Sequence, residues 1–424
     1  MENSSADLNS RHSEADRPKN PIEFSLPGRP AGFAPIRMTE GEKSHINLVI
    51  IAGEASGDLH GSHLVEALEK LQPGITFSGL GGPLMQRTGV EVYEDLTRLA
   101  VVGFWEVLKH FKNFKRVFQT ILNKIKETSP AAVILIDYPG FNLRLAREIK
   151  KSGLQTKVIY YISPQVWAWK ESRMKLIREV CDQMLVILPF EKKFYARRGM
   201  NVEFVGHPIL DSLKTTNSPE NFLALIGFSN QYPTIGLLPG SREKEIEKLL
   251  PVMLEAAKIL YTQNNRLQFL LMKAQSVRLS HLEKFSSRYS LPLRVIGDQT
   301  YNGINASTVC MVTSGTATLE TAILQKPMVV VYKTSWLTWA LAKFLIKIPT
   351  IGLVNVVAGK KIVPECIQFE ATPEKIAREI KLIYTNEKKI AEMKSELRKV
   401  KESLGAPGAS RRAAEIILKT LHKT

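Results

Sequence analysis

Apolar residues fall into short unbroken runs, separated by longer stretches with a helical period. Residues 46–52 (INLVIIA), 75–79 (ITFSG), 132–137 (AVILID), 157–162 (KVIYYI) and 184–188 (MLVIL) are such runs. Runs of this length read as strands covered on both faces. Helical patterning over 61–71 and 141–152 separates them. Strand, helix, strand alternation predicts a parallel, doubly wound sheet. The stretch 213–233 is weakly patterned, and then the scheme restarts with 234–238 (TIGLL), 268–272 (QFLLM), 308–313 (TVCMVT) and 328–332 (MVVVY). Helices such as 243–261 and 315–325 intervene. The predicted fold class is therefore α/β, with two Rossmann-like doubly wound domains facing a central cleft. The boundary falls near 207–220, giving domains 45–212 and 213–390. In such sheets ligands sit beyond the carboxyl ends of the strands. Residues 391–424 are expected to be helices, broken at LGAPGAS (404–410), that pack back on the first domain or on a partner chain.

Composition adds three constraints. Residues 1–44 are polar, with six Lys/Arg against seven Asp/Glu, and read as a disordered extension. The rest of the chain therefore carries the whole basic excess of the net +17. Such a surface suits an anionic membrane face or a polyanion, but no zinc finger, RNP run or Arg-rich tail points to nucleic acid. The cysteines Cys181, Cys310 and Cys366 are far apart, which argues against a disulfide framework and for a reducing cytosol. No run of about 18 apolar residues predicts a membrane span, and no signal peptide is evident.

Candidate chemistry gathers at strand ends. AGEASGDLHG (52–61) follows the first strand and carries Glu54 and Asp58; Asp58 reads equally as a helix cap. Neither this loop nor GLGGPL (79–84) is a dinucleotide fingerprint, and there is no Walker A sequence. Asp137 follows AVILI directly, where a carboxylate points into the cleft and can act as a general base; the plainer reading is a helix cap. LLPGSREKEI (237–246) places Gly240, Ser241 and Arg242 at a helix start suited to a diphosphate. VTSGTATLETAILQKP (312–327) repeats that logic with Ser314, Gly315 and Thr316, and Glu320 can accept hydrogen bonds from ribose or complete a capping box. No Asp-x-Asp pair and no His/Cys spacing suggest a metal, so none is expected, nor any cofactor. FWEVLKHFKNFKRVF (104–118) sets Phe104, Leu108, Phe111, Phe114 and Phe118 along one helical face, with Lys109, Lys112, Lys115 and Arg116 interleaved. It and WLTWALAKFLIKI (336–348) read either as membrane-surface segments or as core-packing helices with a basic outer face.

The strings AGEASGD, GGPLM, VGFWEVL, IDYPGFN, YISPQVWAW, LPFEKKFY, VGHPILD, LLPGSR, SGTATLE and NVVAGKKIVPE run in order from residue 52 to 365. Together they resemble the lipid-A-disaccharide synthase family. The resemblance implies a GT-B fold and an inverting, metal-independent transfer of 2,3-diacylglucosamine from its UDP derivative to the 6-hydroxyl of 2,3-diacylglucosamine 1-phosphate (lipid X). It implies Asp137 as base with Glu54 also in the site, and Arg242, Glu320 and Asn355 at UDP. Ser56 and Trp167 fall in matching strings on the acceptor side. It further implies a cytoplasmic protein, peripheral on the inner membrane, and a homodimer in some members. The residues alone leave open another GT-B enzyme acting on UDP-N-acetylglucosamine (an epimerase or a peptidoglycan transferase), or a non-catalytic lipid-binding protein.

Overall fold

The computed structural model describes residues 46–96, 111–168, 171–335, 339 and 350–422. The extension 1–44 and most of 336–348 lie outside them. The first half builds a seven-stranded sheet from β1 (Asn47–Ala52), β2 (Thr76–Gly81), β3 (Glu91–Asp95), β4 (Ala132–Ile136), β5 (Lys157–Tyr161), β6 (Gln183–Val186) and β7 (Glu203–Phe204). Its order is β3-β2-β1-β4-β5-β6-β7. The second builds a six-stranded sheet from β8 (Thr234–Leu238), β9 (Gln268–Met272), β10 (Leu293–Ile296), β11 (Val309–Thr313), β12 (Met328–Tyr332) and β13 (Glu365–Ile367), in the order β10-β9-β8-β11-β12-β13. Every pairing is parallel.

The central strands are buried end to end, as their apolar runs predict. Alternate residues serve opposite faces. Leu48, Ile50, Ile134 and Ile136 join one core, which continues into the second half; Val49, Ile51, Val133 and Leu135 join the other. Strands β3, β7, β10 and β13 are absent from the sequence reading. They lie at or near sheet edges, where they are short or partly exposed and carry no continuous apolar run.

Helix α1 (Ala55–Leu71) begins immediately after β1, six residues earlier than its periodicity suggests, so most of AGEASGDLHG is already helical. Asp58 lies buried on it and caps a different helix, α2 (Pro83–Arg87). Its carboxylate accepts from the N–H groups of Gly82 at 2.8 Å, Leu84 at 3.0 Å and Met85 at 3.0 Å. Helix α3 (Phe111–Thr128) covers the far face of the first sheet with α4 (Pro139–Lys151). Helices α5 (Pro189–Ala196), α6 (Glu243–Gln263), α7 (Thr316–Ile323) and α8 (Leu353–Ala358) follow.

After α9 (Pro373–Tyr384), α10 (Glu387–Ser403) still packs on the second half through Met393 and Leu397. Helix α11 (Ala409–Leu421) returns to the first half, against α1. Arg412 donates to the Val205 carbonyl at 2.8 Å, and Asp211 accepts from Gly408 and Ala409. The two connections between the halves run side by side, the His207 N–H donating to the Leu404 carbonyl at 2.9 Å. Gly206 and Gly405, both left-handed, touch there; a Cβ on Gly405 would stand 3.2 Å from the Gly206 Cα.

Replacing Asp58 with Ala strands three N–H groups. The expected loss is about 3 kcal/mol of stability, read as a lower urea midpoint; an unchanged midpoint would show that the cap is dispensable.

Candidate functional site

Strand order reverses between β1 and β4 in the first sheet and between β8 and β11 in the second. At such a switch point the loops leaving two adjacent strands diverge and open a crevice. Glu54 and Asp137 follow β1 and β4; Gly240–Arg242 and Ser314–Thr316 follow β8 and β11.

At the first crevice the chain turns sharply. Asp137 and Tyr138 both take left-handed angles, φ 43° and 46°, and Ile162 after the neighbouring β5 takes 64°. A β-branched residue there is a genuine outlier, and such strain gathers at functional turns. Neighbours hold the turn. The Asp137 carbonyl accepts from the Tyr160 hydroxyl at 2.5 Å and the Asn142 amide at 2.7 Å, and the Asp137 N–H donates to Tyr161 at 3.1 Å. The Tyr138 ring lies on Gly53, where a Cβ would meet ring carbons 2.3–2.8 Å away, so only glycine fits.

All of these bonds use the Asp137 backbone. Its carboxyl is pushed up to about 6, by burial first and by the negative charge of Glu54 second, against a hydrogen bond from the Tyr138 N–H. Glu54 is the N-cap residue of α1, but its side chain makes no capping bond. Ser56 is exposed in the first turn. The arrangement is a carboxylate whose basicity is raised at the mouth of a crevice, beside a second carboxylate. The helix-cap reading of Asp137 does not hold: the N-cap residue of α4 is Tyr138, with no side-chain cap.

At the second crevice Gly240 turns at φ 119° and Arg242 opens α6. The Arg242 side chain is 71% exposed and its guanidinium lies 3.3 Å from Glu245, a surface pair of little strength that leaves it available to an anion. Gly315, at φ 139°, opens α7. The Ser314 hydroxyl donates to the Ile351 carbonyl at 2.9 Å, while Thr316 is exposed. Glu320 lies beyond the capping-box position and no side chain caps α7. Burial raises its pKa, against a 3.3 Å hydrogen bond from Tyr301.

Asn355 departs from the expected UDP contact. Its side chain is buried, donating to Val363 at 3.0 Å and Glu365 at 2.8 Å and accepting from the N–H groups of Ile362 and Val363. Every position on the amide is thereby engaged within the protein, so Asn355 shapes the loop and presents nothing to a nucleotide.

The acceptor candidates divide. Trp167 stands half-buried on the loop after β5, its indole N–H donating to Glu191 at 3.1 Å and its ring edge-on to Phe190 at 4.9 Å. Phe104 and Leu108, and the side chains of Phe111 and Lys112, lie outside the described residues. Over 113–128 the core-packing reading holds. Val117, Ile121, Leu122 and Ile125 are buried against the sheet, and Phe114 and Phe118 pack on the same core. Phe118 meets Phe141 edge-on at 5.4 Å. Lys115 is exposed, and Arg116 pairs with Glu94 at 2.7 Å.

Sequence reasoning missed Glu191. It is 1% exposed, and its carboxylate accepts from Ser163 at 2.6 Å, Leu188 N at 2.9 Å and Ile187 N at 3.3 Å as well as from Trp167. Burial pushes it up to about 7 against those hydrogen bonds, that from Ser163 foremost. The available signal was an acid two residues after proline at a strand-to-helix turn.

Two parallel, doubly wound sheets, each with its own switch point, define the GT-B fold class. Solved structures share this architecture: the UDP complex of MnaA from S. aureus (TM-score 0.62, 13% identity, 90% of this chain and 98% of that one) and the calicheamicin glycosyltransferase CalG4 (TM-score 0.56, 14% identity, 90% and 99%). The family profile described as Lipid-A-disaccharide synthetase matches residues 48–420. The lipid-A-disaccharide synthase of Syntrophus aciditrophicus (strain SB) is 44% identical over 378 residues, covering 89% of this chain and 98% of that protein. That of Nitrosococcus oceani is 42% identical over 380 residues, covering 90% and 97%. The chain belongs to the lipid-A-disaccharide synthase family and is a glycosyltransferase. The epimerase and peptidoglycan alternatives are not favoured.

A base that titrates near 6 is protonated and inactive below that value. The turnover rate should fall roughly tenfold per pH unit below about pH 6. Removing the Glu54 charge with Glu54→Gln should move this limb to lower pH. Loss of activity at every pH in Glu54→Gln would instead make Glu54 the base.

Proposed function

We propose that the chain forms the β-1,6 lipid A disaccharide by inverting transfer of 2,3-diacylglucosamine from its UDP derivative to the 6-hydroxyl of lipid X. The single observation that carries the catalytic assignment is the Asp137 carboxyl, pushed up to about 6 at a switch-point crevice beside Glu54. The acceptor lies in the first half and UDP in the second. Asp137 takes the proton of the 6-hydroxyl as that oxygen bonds to the anomeric carbon. The bond from that carbon to the diphosphate breaks on the opposite face, and UDP leaves with the electron pair.

The leaving charge is met by Arg242 and by the N–H groups where α6 and α7 begin. Such stabilisation grows as the bond breaks and so lowers the barrier. Glu320 accepts from the ribose hydroxyls. The net charge of +17 and the exposed Lys115 and Lys126 on the outer face of α3 support a seat on an anionic membrane surface, where acylated substrates reside.

The test is incubation with the acylated UDP-sugar and lipid X, followed by mass spectrometry for disaccharide and UDP. Asp137→Asn should keep UDP binding and lose about 10²–10⁴-fold in turnover; undiminished turnover would remove Asp137 as the base. Arg242→Ala should raise the donor KM roughly tenfold or more, and an unchanged KM and rate would exclude it from the diphosphate site.

A further inference from the structure

Glu191 belongs to no step of this mechanism, yet it is a nearly inaccessible carboxylate with four donors on it. Burying a carboxylate costs several kcal/mol, and an apolar side chain would fill the same space more cheaply for stability alone. Its four bonds divide by function. Oε2 accepts from Ile187 N and Leu188 N, ahead of the first turn of α5. Oε1 reaches across to Ser163 and Trp167. Those two residues bracket the loop that leaves β5 directly after the strained Ile162. β5 is the neighbour of β4, whose end carries Asp137.

We propose that Glu191 is a positioning residue for the acceptor: it fixes the Trp167 indole as a wall of the acceptor site beside Asp137. The inference rests on the reading that the acceptor binds in the first half.

Glu191→Gln separates this role from simple capping. The Ile187 and Leu188 N–H groups cannot turn, so the amide oxygen must stay with them. The NH2 group then faces the Ser163 hydroxyl, which can accept, and the Trp167 N–H, which cannot. Glu191→Gln thus keeps the cap and releases the indole. Trp167→Phe removes the indole N–H and retains a ring.

The acceptor KM of each variant, with lipid X in detergent micelles, should rise roughly ten- to a hundredfold. The donor KM should stay within about twofold, and the double variant should be no worse than the poorer single one. Any of three results would overturn the proposal: an unchanged acceptor KM in either folded single variant, effects that multiply in the double variant, or a parallel loss in donor KM and thermal midpoint. Should Glu191→Gln fail to fold, an unchanged acceptor KM in Trp167→Phe still overturns the proposal. A parent that forms no disaccharide overturns the transferase reading along with this one; normal parental turnover combined with any of the three results overturns this one alone.

Discussion

Asp137 and Tyr138 sit in left-handed backbone one after the other, and each such residue costs about 1–3 kcal/mol and persists only where its surroundings impose it. Here they do. The carbonyl of Asp137 is gripped by Tyr160 from β5 and by Asn142 from α4, and the ring of Tyr138 has nowhere to lie but on Gly53. These restraints act on backbone and on Tyr138, so they hold the carboxylate at a fixed point, where the Tyr138 N–H donates to it. Its raised basicity follows from the same packing: the turn that buries it also brings it within reach of the Glu54 charge. A glycine, a tyrosine and hydrogen bonds to its backbone thus set where the acid stands, while burial and Glu54 set how strongly it holds a proton.

The second half uses the same topology for different chemistry. Its switch-point loops are rich in small residues and backbone N–H, suited to spread negative charge. They are braced from behind: Glu365 accepts from Ile351 N, Gly352 N and Asn355, and Ser314 ties to Ile351. Asn355 serves in this bracing. A residue close to a nucleotide site in sequence motif can thus act on it only through the loop it holds.

The sequence made the central strands legible because each is buried on both faces and must be apolar throughout. The edge strands were not, since EVYED or ECI look no different from loop until a neighbour pairs with them. Asp137 stood out because a charge directly after five buried apolar residues has few places to go. Glu191 did not, because its partners lie up to 28 residues away and only folding brings them together. Helix α3 shows a limit of another kind. An amphipathic period reports that one face is apolar; whether that face meets a sheet or a lipid depends on what else the chain must cover, and here Phe118 is met by Phe141. Asn355 came from motif resemblance, which locates a residue without saying which way its side chain points.

The backbone crosses between the halves twice, and the two crossings touch at Gly206 and Gly405. In kinematic terms a single tether is a ball joint, while two tethers pinned together act as a door hinge. Sliding one crossing past the other must break the His207–Leu404 bond, and the second crossing is fixed to the first half by the Asp211 clasp on the start of α11. The two halves are thus joined at one pinned point, and the core they share lies alongside it. The relative placing of the two switch-point crevices is therefore written into the covalent path of the chain as well as into its packing.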